Sequence, residues 1–250
     1  MIIAVASQKG GTGKTTTSIS LASGVARQGK KTLLVDVDSQ ANASKVLLPR
    51  YAELKAHQTV HTTILERNPL PIHETTVPNL WVAPSHILLS NTDIELTTAR
   101  DHREARLKKK LDEISQDYDY IFIDCPPSLS WLTVNAFTAA DRVLVVVSPG
   151  YFELDSIVQI SKTVREVQEY FNPDLGIVGF LFTQAEPTVN TRTSLQILRQ
   201  TYPEHVLNAV IPKNTDMRDA HMSKQDIFSY RPKSKSAFAY RKVIREMFEI

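Results

Sequence analysis

Within "ASQKGGTGKTTTS" (Ala6 to Ser18), two lysines, Lys9 and Lys14, flank Gly10, Gly11 and Gly13, and Thr15 and Thr16 follow directly. These residue types, in this order, suit a phosphate chain. Glycines let consecutive backbone N–H groups converge on phosphate oxygens, and a helix starting after them adds the partial positive charge of its N-terminus. Gly10, Gly11, Thr12 and Gly13 would form that cradle. Lys14 would reach the β- and γ-phosphates, the Thr15 hydroxyl would ligate Mg²⁺, and Thr16 would help hold the α-phosphate. The strict G-x-x-x-x-G-K-[ST] pattern wants glycine where Gln8 stands. Lys9 is therefore surplus to an ordinary loop.

Carboxylates recur at the ends of two further apolar runs. "LLVDVDSQAN" delivers Asp36 and Asp38, and "YDYIFIDCPPS" delivers Asp124, which looks like a Walker B carboxylate. Asp124 would hold Mg²⁺ directly or through water, with Thr15 and Asp38 as further candidates for the cation. Asp36 or Asp38 would position the attacking water. A strand-end aspartate can instead merely cap the next helix, but three such sites beyond the carboxyl ends of one sheet point to a ligand. Pro126 and Pro127 stiffen the loop that would sense the γ-phosphate.

The elements that must position these groups are legible as alternating runs. Candidate strands are "IIAVA" from Ile2, "KTLLVDVD" from Lys31, "LWVAP" from Leu80, "YDYIFID" ending at Asp124, "RVLVVVSP" from Arg142 and "GIVGFLFT" ending at Thr183, with a weaker "VLNAVIP" ending at Pro212. Helical patterns cover Thr15 to Arg27, Asp93 to Ser115, Trp131 to Ala139, Asp155 to Phe171 and Thr191 to Thr201. Strands that are apolar almost throughout, separated by helices, predict a mostly parallel twisted sheet covered on both faces. Right-handed crossovers make this a three-layer α/β/α fold of the P-loop NTPase kind, in one domain over residues 1–250. Pro49 to Pro78 is the least regular stretch and reads as an insertion of short helices and loops.

Bulk properties narrow the classes. Twenty-nine Lys and Arg against 27 Asp and Glu give a net charge of +2, too small to argue for nucleic acid without local clustering. Cys125 is the only cysteine, so no intramolecular disulfide forms and a reducing, cytoplasmic setting is expected. Apolar runs such as Val143 to Val147 are strand-length, and neither a membrane span nor a signal peptide is expected. His57, His61, His73, His86 and His102 lack metal-ligand spacing and are expected at the surface or in packing.

Together these residues carry a resemblance. "QKGGTGKTT" resembles the deviant Walker A motif of the ParA/MinD family of P-loop ATPases, with Lys9 as its signature lysine. "VDVDSQANAS", "DCPPSLSWLTVNAF", "VSPGYFELDSI", "VIPKN" and "PKSKSAFAY" are similar to further stretches of that family, nearest to its compact Soj-like ParA partition proteins. A carboxysome-positioning, McdA-like member falls within the same resemblance. It implies slow, Mg²⁺-dependent ATP hydrolysis stimulated by an adaptor, ParB-like or other, and an ATP-sandwich homodimer in which Lys9 contacts the partner's phosphates. Asp38 would be the water-orienting residue and Asp36 auxiliary, while Pro212 and Asn214 would hold the adenine. ATP-dependent, non-specific DNA binding would place the protein on the nucleoid and let it segregate a plasmid, a chromosome region or a protein organelle. Arg192 matches a DNA-contacting arginine of Soj-like members. A second such arginine is replaced by Asp216, with Arg218 two residues later.

The residues themselves bear on the partner. From Lys213 to Arg245 the basic side chains Lys213, Arg218, Lys224, Arg231, Lys233, Lys235, Arg241, Lys242 and Arg245 outnumber Asp216, Asp219 and Asp226. Such a patch, doubled in a dimer, suits the DNA backbone, with Arg192, Arg218, Lys233 and Lys235 the leading candidates. A MinD-like membrane tail is the alternative. The terminal stretch has Phe238, Val243, Met247 and Ile250 at helical spacing, but Glu246 and Glu249 oppose an anionic membrane, so packing onto the body is expected. A metal cluster shared between subunits would need more than Cys125. P-loop ligases of the dethiobiotin or cobyrinic acid amide synthase type share the fold but do not require Lys9.

Overall fold

The computed structural model describes residues 1–150 and 153–250, so Tyr151 and Phe152 of "VSPGYFELDSI" lie outside the described residues. A seven-stranded sheet runs through the molecule: β1 (Ile2–Ala6), β2 (Thr32–Asp36), β3 (His73–Glu74), β4 (Leu80–Ala83), β5 (Tyr120–Asp124), β6 (Arg142–Val147) and β7 (Gly176–Phe182). Its order is β3-β4-β2-β5-β1-β6-β7, parallel except for the β3 edge, which is antiparallel to β4. Side chains alternate along each strand, and both faces are covered. Ile2, Ala4 and Ala6 enter one core, while Ile3 and Val5 enter the other, which is why β1 is apolar without interruption.

One face carries α3 (Val60–Glu66), α4 (Leu89–Thr98), α5 (Arg106–Asp112), α6 (Trp131–Ala139), α7 (Glu153–Tyr170) and α8 (Val189–Thr201). The other carries α1 (Lys14–Ala26), α2 (Asn42–Leu47), α9 (Thr215–Met222), α10 (Ile227–Tyr230) and α11 (Lys235–Phe248). The expected three-layer α/β/α arrangement is thus the observed one. Between Pro49 and Pro78 lie two 3₁₀ turns, α3 and the two-residue β3, as an irregular insertion.

Three expectations need correction. The helix expected from Asp93 to Ser115 is two helices, α4 and α5. Arg103 Nη1 donates to the carbonyls of Leu96 and Thr97, its guanidinium stacks 3.9 Å from the Trp131 ring, and Asn135 bonds both Arg103 O and Leu107 N–H. Contacts from α6 therefore end one helix and start the next.

"VLNAVIP" is not a strand; it meets the sheet edge through Ile211 N–H, which donates to Phe182 O at 2.9 Å, and at the isolated bridges Phe180↔Val206 and Ala185↔Pro212. Between them, Glu246 of α11 captures the N–H groups of Asn208 (2.6 Å) and Ala209 (3.0 Å), pulling the segment away from a continuous ladder. Lastly, Phe238 does not pack inward: it is 54% exposed. The buried face of α11 is Ala237, Tyr240, Val243, Ile244 and Phe248, and Met247 and Ile250 are half-buried.

Candidate active site

The loop between β1 and α1 is shaped by its glycines. Gly11 (φ +77°) and Gly13 (φ +90°) occupy left-handed conformations, which cost another residue about 1–2 kcal/mol. Gly13 is also the residue from which α1 springs, so the free N–H groups of the first helical turn face the loop. The carboxyl end of β7 braces the loop from behind. Thr183 Oγ1 donates to Thr12 O at 2.6 Å, and Gln184 Nε2 donates to Gly11 O. Thr183 and Gln184 were not read from sequence; their only signal is the position of "TQ" at a strand end.

A cavity of about 900 Å³ opens in front of this loop and is lined by Gly10, Gly11, Gly13, Lys14, Thr15 and Thr16. Lys14 is buried and Thr15 and Thr16 are half-buried. Thr12 is buried behind the lining, its hydroxyl donating to Lys9 O at 3.4 Å. Lys9 is exposed at the start of the loop and is not among the residues that line the cavity.

Two carboxylates are buried side by side at the neighbouring ends of β2 and β5, where Asp36 and Asp124 are register partners. Ser18 Oγ, one turn into α1, donates to Asp124 Oδ1 at 2.8 Å. Asp124 Oδ2 is buried with no hydrogen-bond partner among the described residues. Burial pushes this carboxyl's pKa up, and the Lys14 charge pulls it back. An orphaned carboxylate oxygen of this kind, close to a cationic lysine, fits a divalent cation. Among the described residues no three His, Cys, Asp or Glu side chains form a metal-binding group. Mg²⁺ would there depend on phosphate oxygens and water for most of its ligands, as this hard ion commonly does.

Asp36 is differently employed. Its Oδ2 accepts from Ser44 N–H (2.9 Å) and Ser44 Oγ–H (2.7 Å), and its Oδ1 accepts from Asp38 N–H (3.1 Å). Burial, then the Asp124 charge, raises its pKa to about 7 against the opposing pull of Ser44. The chain of contacts continues, with Ser85 N–H donating to Ser44 Oγ and Ser85 Oγ to Asp38 O (2.5 Å). Asp36 thus fastens the loop that carries Asp38. Asp38 accepts from Gln40 N–H (3.0 Å) and itself lines the cavity, as Asp36 and Asp124 do not. Cys125 is buried, and burial raises its thiol's pKa, which makes it unreactive.

The far end of the cavity is built from distant parts of the chain: Val46 on α2, Pro212 and Asn214, then Met217, Arg218 and His221 on α9, and Tyr240 on α11. Tyr240 Oη lies 3.0 Å from Thr17 Oγ1, tying α11 to α1. Asn214 caps α9: its Oδ1 accepts from Asp216 N–H (3.0 Å), while its Nδ2 donates to Asp216 Oδ2 (2.9 Å). Asp216 in turn pairs with Arg231 at 2.6 Å.

Arg218 is exposed at the cavity rim, whereas Arg192 is exposed on the first turn of α8 and Lys233 and Lys235 are exposed near the start of α11. Arg241 is engaged internally, donating to Pro232 O at 2.7 Å and lying over Phe228 and Phe238. No helix among the described residues is long and apolar enough to cross a membrane.

A strand, a glycine loop braced from a neighbouring strand, a lysine at the helix start and buried strand-end aspartates together define a P-loop nucleoside-triphosphatase site. Residues 1–177 match the family model described as an AAA domain. Over 251 residues the chain is 39% identical to the sporulation initiation inhibitor protein Soj of Bacillus subtilis, covering 98% of this chain and 97% of that one. The chromosome-partitioning ATPase Soj of Treponema pallidum is 36% identical, with 96% and 94% covered. A crystal structure of cobyrinic acid a,c-diamide synthase from Mycobacterium smegmatis, with bound ADP and magnesium, superimposes with a TM-score of 0.82 at 32% identity, covering 98% of this chain and 94% of that chain. The chain belongs to the Soj/ParA family of P-loop ATPases.

Proposed function

We propose that the protein is an ATP-driven positioning ATPase, one domain over residues 1–250, that dimerises on ATP, binds DNA without sequence preference and releases it on hydrolysis. ATP and Mg²⁺ are its ligands. Lys14 and the N–H groups of Gly10 to Gly13 hold the phosphates, Thr16 the α-phosphate, and Pro212 and Asn214 the base. Thr15, Asp124 and Asp38 would hold Mg²⁺, which would supply positive charge to the phosphoryl oxygens. Asp38 orients the attacking water, and Asp36 keeps the Asp38 loop in place through Ser44.

The carrying observation is the division between the two lysines: Lys14 lies in the cavity and Lys9 stands exposed outside it. A lysine at the start of the loop can point away from its own nucleotide, toward a facing subunit's phosphates. Charge supplied in trans contributes roughly 10³–10⁵ in rate in the strongest cases, and a slow timer needs much less. Arg192, Arg218, Lys233 and Lys235 contact DNA on the nucleoid. An adaptor protein stimulates hydrolysis and determines whether the cargo is a plasmid, a chromosome region or a protein organelle. The apolar face of α11 is occupied by the protein's own core, which supports a cytoplasmic rather than a membrane-seated protein.

Size-exclusion chromatography with light scattering tests this. Wild type is expected to be dimeric with ATP and monomeric with ADP, and Lys9→Ala monomeric with both while still binding ATP. A Lys9→Ala variant that dimerises normally removes the trans role. Equal retention on non-specific DNA with ATP and with ADP removes the switch. The likeness to cobyrinic acid a,c-diamide synthase favours a second reading, an ATP-dependent amide ligase. ATP turnover that needs only DNA and protein supports the positioning ATPase; turnover that requires a small carboxylic acid supports the ligase.

A further inference from the structure

Both backbone groups of Asp38 are held by buried side chains. Asp36 Oδ1 accepts from its N–H at 3.1 Å, and Ser85 Oγ donates to its carbonyl at 2.5 Å. Asp36 belongs to the same strand end, whereas Ser85 lies beyond the end of β4, 47 positions away in the chain. The side chain of Ser85 is fully buried, and the residue does not line the cavity. Its hydroxyl closes a ring of hydrogen bonds. Ser85 N–H donates to Ser44 Oγ (2.9 Å), Ser44 Oγ donates to Asp36 Oδ2 (2.7 Å), and Asp36 Oδ1 receives the Asp38 N–H. The bond from Ser85 Oγ to Asp38 O returns the ring to its start. Tyr51 Oη adds a further hold by donating to Ser85 O at 3.2 Å.

The two bonds act on the two peptide planes that flank the Asp38 Cα. Fixing both planes fixes φ and ψ of Asp38, and with them the direction of its Cα–Cβ bond. Ala41 N–H also reaches the Asp38 carbonyl (2.8 Å), but it belongs to the same loop and moves with it. Ser85 instead ties that carbonyl to β4, the parallel neighbour of β2 in the sheet. We infer that Ser85 is a positioning residue for ATP hydrolysis: its hydroxyl, through the Asp38 carbonyl, aims the Asp38 carboxylate at the attacking water. The inference rests on the reading of Asp38 as the water-orienting group.

Ser85→Ala removes this one bond and leaves the backbone N–H that holds Ser44. Single-turnover hydrolysis of radiolabelled ATP with Mg²⁺, beside isothermal titration with ATP, compares wild type, Ser85→Ala, Asp38→Ala and the double variant. Ser85→Ala is expected to slow cleavage about tenfold while leaving ATP affinity within about twofold of wild type. The loss is smaller than in Asp38→Ala because the carboxylate is displaced rather than removed. In the Asp38→Ala background the serine change is expected to add nothing, since residues that act as one unit are not additive. A merely structural serine would slow the double variant further or weaken ATP binding along with cleavage. Wild-type cleavage in Ser85→Ala, or an equal further loss in the double variant, overturns the inference. If Ser85→Ala melts below the assay temperature, Ser85→Cys, which keeps the shape with a weaker donor, takes its place under the same outcomes. Wild-type cleavage in Asp38→Ala removes instead the reading of Asp38, and the serine assignment falls with it.

Discussion

The two ends of one cavity are built on different terms. At the phosphate end, every group that faces the cavity comes from a short stretch beside a strand terminus. The loop from Gly10 to Thr16 is continuous in the chain, and Asp38 lies two residues beyond the end of β2. The backbone there is fixed by local devices: left-handed glycines, a helix start, and an aspartate tied to a serine eight residues on. At the nucleoside end, α2, α9 and α11 meet over α1, and one binding contact joins Thr17 to Tyr240 across 223 positions. The first end depends on backbone conformation and is insensitive to which helices surround it. The second exists only when α9 and α11, from the far end of the chain, pack in register with α1 and α2. Catalytic machinery should therefore tolerate changes in α9 and α11 that the nucleoside grip does not.

The strongest test separates the two aspartates at the phosphate end. Asp38→Ala is expected to slow ATP hydrolysis by about 10²-fold or more, the range for losing a positioned proton-handling group, while leaving ATP binding and thermal stability close to wild type. Asp36→Ala is expected to lower the melting temperature as well, because it strands the Ser44 hydroxyl and N–H. Equal melting temperatures for the two variants would show that Asp36 does not anchor the loop. A steady-state phosphate-release assay and differential scanning calorimetry decide it.

A smaller effect tests the seam between the ends. A Cβ on Gly24 of α1 would lie 2.2 Å from Ile244 Cδ1 of α11 and 3.0 Å from the Phe228 ring of α10. Gly24→Val is expected to cost about 1–3 kcal/mol of unfolding free energy by overpacking. Nucleoside affinity should fall while tripolyphosphate binding is retained. If both ligands weaken together, the ends are not separable and the contrast drawn above is wrong.

The smallest effect is a pH dependence. His221 gives up its proton more readily when folded, so between the folded pKa and the ordinary imidazole value near 6.5 the unfolded chain binds more protons. The stability this group contributes is complete above that ordinary value and is lost as pH falls toward the folded one. Urea denaturation at about pH 5.5 and 7.5 should show a smaller difference for His221→Phe than for wild type. An unchanged difference would mean that the imidazole is not desolvated in the folded protein.

Most of the sheet was legible because its strands are buried on both faces and therefore apolar at nearly every position. Six of the seven were read from composition alone; β3, two residues long with one half-buried and one exposed side chain, carries no such pattern. The elements that escaped reading are those decided by partners elsewhere. Arg103 and Asn135 break one apparent helix into two, and Glu246 takes the N–H groups that would have made "VLNAVIP" a strand. Helices α9 and α10 are short and start at Asn214 and Asp226 caps inside a stretch that reads chiefly as basic.

The sequence by itself determined the phosphate end, because backbone angles demanded by Gly11 and Gly13 and carboxylates placed at strand ends are properties of a few adjacent residues. It also distinguished Lys9 from Lys14 through the misplaced Gln8. Only the tertiary structure decided which aspartate turns to the cavity. Asp36 and Asp38 stand two apart on one strand end, and the difference lies in Ser44, which claims Asp36 from the next helix. It likewise decided that Phe238 faces outward while Tyr240 is buried, and that His221 Nε2 is buried without a hydrogen-bond partner among the described residues. Those outcomes follow from how α9 and α11 dock on α1, a packing among residues some two hundred positions apart that no local spacing encodes.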